Sequence, residues 1–171
     1  MVILSDTGKL ITVRNFGGNG NDWFNDVCLT KDGGYLFVGG TKSITNEETR
    51  NTGSQTWIVK ANSYGVIDWE KTYGGTGDEE AISVIAINRN EFIVAANSNS
   101  SYNKKSPIRS QYVSVLKINE NGKVLDQKDI KQINNIYCSD IISISPSTYA
   151  VGGYEEDEEK QTSIWSHEFR F

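Results

Sequence analysis

Two runs in the chain, "YLFV" (residues 35–38) and "FIVAA" (92–96), are apolar without alternation, the pattern of a strand covered on both faces. Other runs alternate. In "VIDWEK" (66–71) and "KVLDQK" (123–128) charged positions recur between apolar ones, as in an edge strand with one side in water. No window carries an apolar spacing of 3.6, so almost no helix is expected. Around these runs the chain divides into a set of four strands, and the set recurs. The first strand is "DWFNDVCLT", "EEAISVIAI" or "YCSDIISIS"; the second, after a short turn, is "YLFVGG", "FIVAAN" or "YAVGG". A long polar loop leads to the third, "QTWIVKA", "YVSVLKI" or "SIWSHEFRF". The fourth is "VIDWEKTY", "KVLDQKDI" or, from the N-terminal end, "KLITVRNF". A tight turn ending in Gly8, Gly65 or Gly122 separates third from fourth, where glycine accepts the positive φ that finishes a short loop.

The recurrence has a period of 57 residues and is read here without gaps. Gly39, Ala96 and Gly153 keep step, as do Tyr35, Phe92 and Tyr149, then Phe37, Val94 and Val151, and upstream Val27, Val84 and Ile141. The chain is read as one repeat domain over 1–171, with repeats near 16–72, 73–129 and 130–171, the last completed by 1–15. The register closes on itself, since "EFRF" runs into "MVIL" as "QYVS" runs into "VLKI". One buried inner strand plus one wet edge strand describes a four-stranded sheet stacked between two others. The small residues Gly39, Ala96 and Gly153 would then let neighbouring backbones approach near a common axis.

Composition narrows the picture. At 171 residues, with 4 Trp, 8 Tyr and 6 Phe, the chain is long and aromatic enough to bury a core. A net charge of −5 argues against a nucleic-acid partner, which wants a basic stripe. No apolar run reaches the length of a membrane span, and no cleavable signal opens the sequence. Cys28 and Cys138 match no metal or redox spacing and read as small buried hydrophobes, their disulfide status open. With His167 as the single histidine, a histidine-based metal site has little to work with.

The stretch "KTYGGTGDEEAISV" (71–84) repeats "RNFGGNGNDWFNDV" (14–27), while "IKQINNIYCSD" (130–140) has lost the double glycine. The pattern carried by Trp69, Lys71, Tyr73, Gly74, Gly75, Gly77, Asp78, Glu79, Ala81, Ser83 and Val84 resembles the blade repeat of secreted β-propeller proteins of Bacteroidetes and some archaea. The resemblance spans the whole chain and is strongest in the middle repeat. It implies an all-β fold of three four-stranded antiparallel blades and an extracytoplasmic location, at the cell surface or secreted, with any export signal outside these residues. Three blades are too few to close such a ring comfortably. The chain is therefore expected to self-associate into a six-bladed ring, to be part of a longer propeller, or to close on itself as a β-trefoil.

Candidate chemistry is sparse. "GDEE" (77–80) gathers three carboxylates, which suits acid–base work or a cation; the reading preferred here is a strand-start cap, Asp78 accepting backbone N–H bonds beside a glycine turn. Glu155, Glu156 and Asp157 open an acidic run that suits calcium in number but lacks the spacing of a calcium loop, so a solvated loop is expected. The long loop is held at similar length while its charge swings from near neutral to basic (Lys104, Lys105, Arg109) to acidic. A fixed scaffold with diversified loops reads as a recognition surface, with Tyr102, Asn103, Lys104, Lys105, Arg109, Glu155, Glu156 and Asp157 as contacts. Trp23, Trp57, Trp69 and Trp165 are residues that stack on sugars or, more often in such sheets, pack. No nucleophile elbow, phosphate loop or dinucleotide fingerprint is present. The expected function is a non-catalytic interaction module for a protein or glycan, without metal or cofactor. The alternatives are an assembly subunit, or a hydrolase or lyase using acidic loop residues.

Overall fold

The computed structural model describes residues 1–43, 53–100 and 111–171. These form only strands and connections, with no helix among the described residues. A hairpin of β1 (Val2–Leu4) and β2 (Leu10–Val13) comes first. A four-stranded sheet follows, made of β3 (Asp22–Leu29), β4 (Tyr35–Thr41), β5 (Gln55–Ala61) and β6 (Ile67–Tyr73). The second sheet holds β7 (Glu79–Ala86), β8 (Glu91–Ser98), β9 (Tyr112–Asn119) and β10 (Val124–Ile130). The third has β11 (Asn135–Ser145), β12 (Thr148–Glu156) and β13 (Thr162–Arg170). Within each sheet the strands lie in chain order and every pairing is antiparallel.

Equivalent residues take equivalent places. Phe37, Val94 and Val151 sit at the centre of the second strand of the three sheets, opposite Val27, Val84 and Ile141. Each first strand carries a bulge at the equivalent place, between Phe24 and Asp26, Ala81 and Ser83, or Cys138 and Asp140, and β11 has a second between Ser143 and Ser145. Gly8, Gly65 and Gly122 hold φ of 77°, 73° and 70° in the turn between third and fourth strands.

The sheets stack in a row, and the core is divided accordingly. Phe37, Trp57, Val59 and Ala61 on one side of the first sheet receive Met1 and Phe16 from the hairpin segment. Leu36, Val38 and Ile58 on its other side meet Val84, Phe92, Val94 and Leu116 of the second sheet. Ile93, Ala95, Val113 and Val115 then meet Ile141, Tyr149, Val151 and Trp165 of the third. This alternation explains the unbroken apolar runs: β4 and β8 are packed on both faces, whereas β6 and β10 keep an exposed edge. A trefoil needs one core shared by all its strands, and three separate layers do not provide it. The first strands lie side by side at the inner edge. There the Ser83 hydroxyl stands 3.0 Å from Asp26 Oδ2 and 2.8 Å from Asp140 Oδ1, residues one period away on either side.

Three expectations change. The N-terminal segment does not complete the third sheet; among the described residues β2 pairs only with β1, at the opposite end of the row. The gapless register also fails in the last repeat. Residues 42–54 and 99–111 join second and third strands in the first two sheets, but only 157–161 do so in the third. Loop length is therefore not kept, and Trp165, which pairs with Gly153 as Trp57 pairs with Gly39, lies six residues short of two periods. Hence β13 is complete before "MVIL" could extend it. Finally, Gly39 and Gly153 make room for the adjacent strand of their own sheets. A Cβ on Gly39 would strike Trp23 O and Phe24 Cα, and one on Gly153 would strike Tyr137 O, at the bulge of the adjacent strand.

Candidate functional site: a hydroxyl-lined cleft between the first two sheets

The double-glycine motif builds one wall of this site. Asp22 and Glu79, one period apart, begin the first strands of their sheets and turn back on the glycines before them. Asp22 Oδ2 accepts Gly18 N at 2.7 Å and Ser43 Oγ at 2.8 Å. Glu79 Oε2 accepts Gly75 N at 3.0 Å, and Glu79 Oε1 accepts the hydroxyls of Ser98 and Ser100. The loop serines complete the clamp, since Ser43 Oγ accepts Gly20 N and Ser100 Oγ accepts Gly77 N, both at 2.8 Å. A Cβ on Gly18 would lie 2.8 Å from Ser43 Oγ, and one on Gly75 2.6 Å from Ser100 Oγ, so a side chain at either place would displace the clamp serine. In the third repeat Ile136 replaces the carboxylate and is buried in the core, so the motif there has nothing to clamp.

Beside this clamp lies a cleft of ≈ 590 Å³ between the facing sides of the first and second sheets. That volume falls in the range of about 300–1,000 Å³ common for small-ligand sites. Its origin is a local loss of aromatic bulk. In the first sheet Trp57 stacks on Phe24 with centroids 4.6 Å apart. At the equivalent places the second sheet has Ser114 and Ala81, both paired to Ala96. The space remains open and is walled by the hydroxyls of Thr56, Thr72, Thr76, Ser98, Ser100 and Ser114. Tyr73 and Tyr112 add aromatic surface, and Gln127, whose Nε2 donates to Ser114 Oγ at 3.1 Å, adds an amide. Burial pushes the Tyr73 phenol up to about 12; it stays neutral and donates to Gly122 O at 2.6 Å. Hydroxyls and an amide can donate and accept in turn, which suits a polyhydroxylated ligand. No histidine, thiol or lysine is on the walls among the described residues.

The residues singled out from sequence fall in several places. Tyr102, Asn103, Lys104, Lys105 and Arg109 lie outside the described residues. Glu155, Glu156 and Asp157 are on the third sheet, away from the cleft. Glu155 Oε1 accepts Ser163 Oγ at 2.7 Å, and Asp157 Oδ1 accepts Glu159 N and Gln161 N, both at 2.9 Å, closing its own turn. Asp78 Oδ1 accepts Ser54 N at 2.9 Å, and that hydrogen bond, ahead of burial, holds its carboxyl below the usual range. Asp78 thus ties the strand start to the neighbouring sheet's loop. The four indoles are occupied inside the protein: Trp23 donates to Glu80, Trp57 to Glu70, Trp69 to Glu120 O and Trp165 to Tyr137 O and Tyr154 O.

Sequence reasoning passed over one charged cluster. The Lys60 ammonium, its side chain 7% exposed, lies 2.7 Å from Asp32 Oδ2 and 3.0 Å from Asp68 Oδ2. Burial works to lower the Lys60 pKa, but the two carboxylates outweigh it and hold the group above its ordinary value. The Lys60 hydrogen bond in turn pulls Asp32 well below the carboxylate range. No group of three or more His, Cys, Asp or Glu suited to a metal ion occurs among the described residues. No helix there is long and apolar enough to cross a membrane, a statement that does not bear on strands. Comparison of the chain with protein-family models gives no match, and comparison with curated proteins gives none either.

Proposed function

We propose that this protein is a non-catalytic recognition module with stacked blades of the β-propeller type, holding a segment of glycan in the cleft between its first two sheets. The observation that carries the reading is the placement of Ser114 and Ala81 where the first sheet has a stacked Trp57–Phe24 pair. A stable sheet stack gains by filling such a space, since buried aromatic rings are among the largest single contributions to a core. Here the space is left open and lined with hydroxyls, which hydrogen-bond sugar hydroxyls in either direction. Tyr73 and Tyr112 supply the apolar surface on which a pyranose ring rests.

The Glu79 carboxylate argues for binding over hydrolysis. Both its oxygens are already engaged by Gln55, Gly75, Ser98 and Ser100, so it fixes the wall and is not held ready for a proton transfer. An extracytoplasmic location accords with the family resemblance and with a glycan ligand. The reading is tested by screening the protein against arrayed oligosaccharides and measuring the strongest by calorimetry. Saturable binding at one site per chain is expected; no binding to any glycan class would overturn it.

A further inference from the structure

We propose that the cleft selects an amino sugar, carrying a free ammonium group, ahead of a neutral sugar and turns away a uronate. The selection comes from the second-sheet wall, whose hydroxyls have already given their protons to carboxylates. This inference rests on the glycan reading above and names the class of sugar within it.

Hydrogen-bond direction is the first support. A serine hydroxyl has one proton and two lone pairs, and a carboxylate only accepts. Ser98 and Ser100 both spend the proton on Glu79 Oε1. Ser114 spends its proton on Asp129 Oδ1, 3.0 Å away. Gln127 Nε2 divides its two protons between Ser114 Oγ and that same Asp129 oxygen, both at 3.1 Å, so its amide has only Oε1 left to offer. One lone pair on each serine is also taken: Ser98 Oγ accepts Ser100 N at 3.2 Å, Ser100 Oγ accepts Gly77 N at 2.8 Å, and Ser114 Oγ accepts Gln127. Each serine therefore keeps one lone pair and no proton. The threonine hydroxyls of the first-sheet wall, Thr56 and Thr72, still have a proton to donate. The two walls thus differ in what they ask of a ligand.

The acceptors are contiguous. On the face of β8 and β9 that lines the cleft, Ser98 is opposite Tyr112 and Ser114 is opposite Ala96, which sets the two serines diagonal to each other. Ser100 continues the row two residues beyond Ser98.

Charge acts in the same sense. Glu79 is 5% exposed, and the groups that donate to it, Gln55, Gly75, Ser98 and Ser100, are all neutral. No lysine or arginine is on the walls among the described residues. Lys131 stands behind them, 4.5 Å from the centre of the Tyr112 ring and 3.7 Å from Asp129 Oδ2. A negative charge held away from water acts strongly on a ligand beside it. An ammonium brings three protons and a positive charge to this wall. A neutral sugar hydroxyl brings one proton. A uronate carboxylate brings lone pairs to lone pairs, and its charge is repelled.

The test is calorimetry on the intact chain with oligosaccharides of glucosamine, glucose and glucuronate in one linkage, that of the strongest arrayed ligand. Mildly acidic buffer keeps the amine charged and the uronate ionised. The glucosamine form is expected to bind at least about tenfold tighter than the glucuronate form, the scale of one charge-assisted hydrogen bond, with the glucose form between them. Glu79→Gln, which keeps an acceptor and removes the charge, is expected to narrow that gap in a protein shown by its melting curve to be folded. If it does not fold, Asp129→Asn makes the same comparison at the other carboxylate. Glucuronate binding as tightly as glucosamine, or a gap unchanged in the folded variant, overturns the inference and leaves the glycan reading standing. Binding of none of the three forms overturns both.

Discussion

Ser114 stands in the second sheet where Trp57 stands in the first, each paired to the small residue, Ala96 or Gly39, that sits beside the bulge. One serine for one indole turns a packed layer into a cleft. Restoring the indole is therefore expected to restore the layer. Ser114→Trp should raise stability by about 1–2 kcal/mol, the scale of a buried aromatic contact, read as a higher urea midpoint at unchanged m-value. Replacement by alanine, which removes hydrogen bonds to Asp129 and Gln127 without filling the space, should lower the midpoint instead.

Acid stability should be set by three carboxylates. Burial raises the Asp22 pKa, but the hydrogen bonds from Thr41, Gly18 and Ser43 outweigh it and leave the group below its ordinary value. Asp78 is lowered by Ser54 and Asp32 by Lys60. A folded-state pKa below the unfolded one gives stability that is fully present above about pH 4 and lost as the pH falls through the folded values. Lys60 acts oppositely: its raised pKa gives stability present below about pH 10 and lost as the pH rises through the folded value. Thermal melts should accordingly show a plateau from roughly pH 5 to pH 9 with a fall on the acid side. Asp78→Asn should weaken that acid fall, because an uncharged side chain takes up no proton there.

Both thiols should be inert in the folded protein. Burial, with Asp26 nearby, pushes Cys28 up to about 12. Cys138 is likewise pushed up to about 12 by burial and Asp140. The thiolate is the reactive form, so iodoacetamide at pH 8 should label neither residue in native protein and both after unfolding in urea, as read by mass spectrometry. Rapid native labelling of Cys138 would show that the β11–β12 layer opens far more often than its burial suggests.

The period and the strand types were legible because they rest on backbone requirements that sequence states directly. Glycines 8, 65 and 122 close a turn that needs positive φ, and Phe37, Val94 and Val151 lie between layers that admit only apolar side chains. The carboxylate clamp of Asp22 and Glu79 was legible as a motif, though not as a tie between glycine turn and loop serine. The cleft was harder to find. It depends on comparing Ser114 with Trp57 and Trp165, and a gapless register sets Phe171 against Trp57 because the last loop is shorter. Loop length costs little in chain entropy, so nothing local in "EEDEEKQTS" marks the shortening. The Lys60 cluster was missed for a related reason: Asp32 lies in the turn before β4 and Asp68 on β6, brought together at Lys60 only when β4, β5 and β6 pair.

The most direct test of the functional account sets wild-type protein and Ser114→Trp side by side on the same arrayed oligosaccharides, with melting curves for both. Binding by the wild type, lost in a variant that melts at an equal or higher temperature, is the predicted result. Equal binding by the two proteins would place the ligand elsewhere and contradict the account.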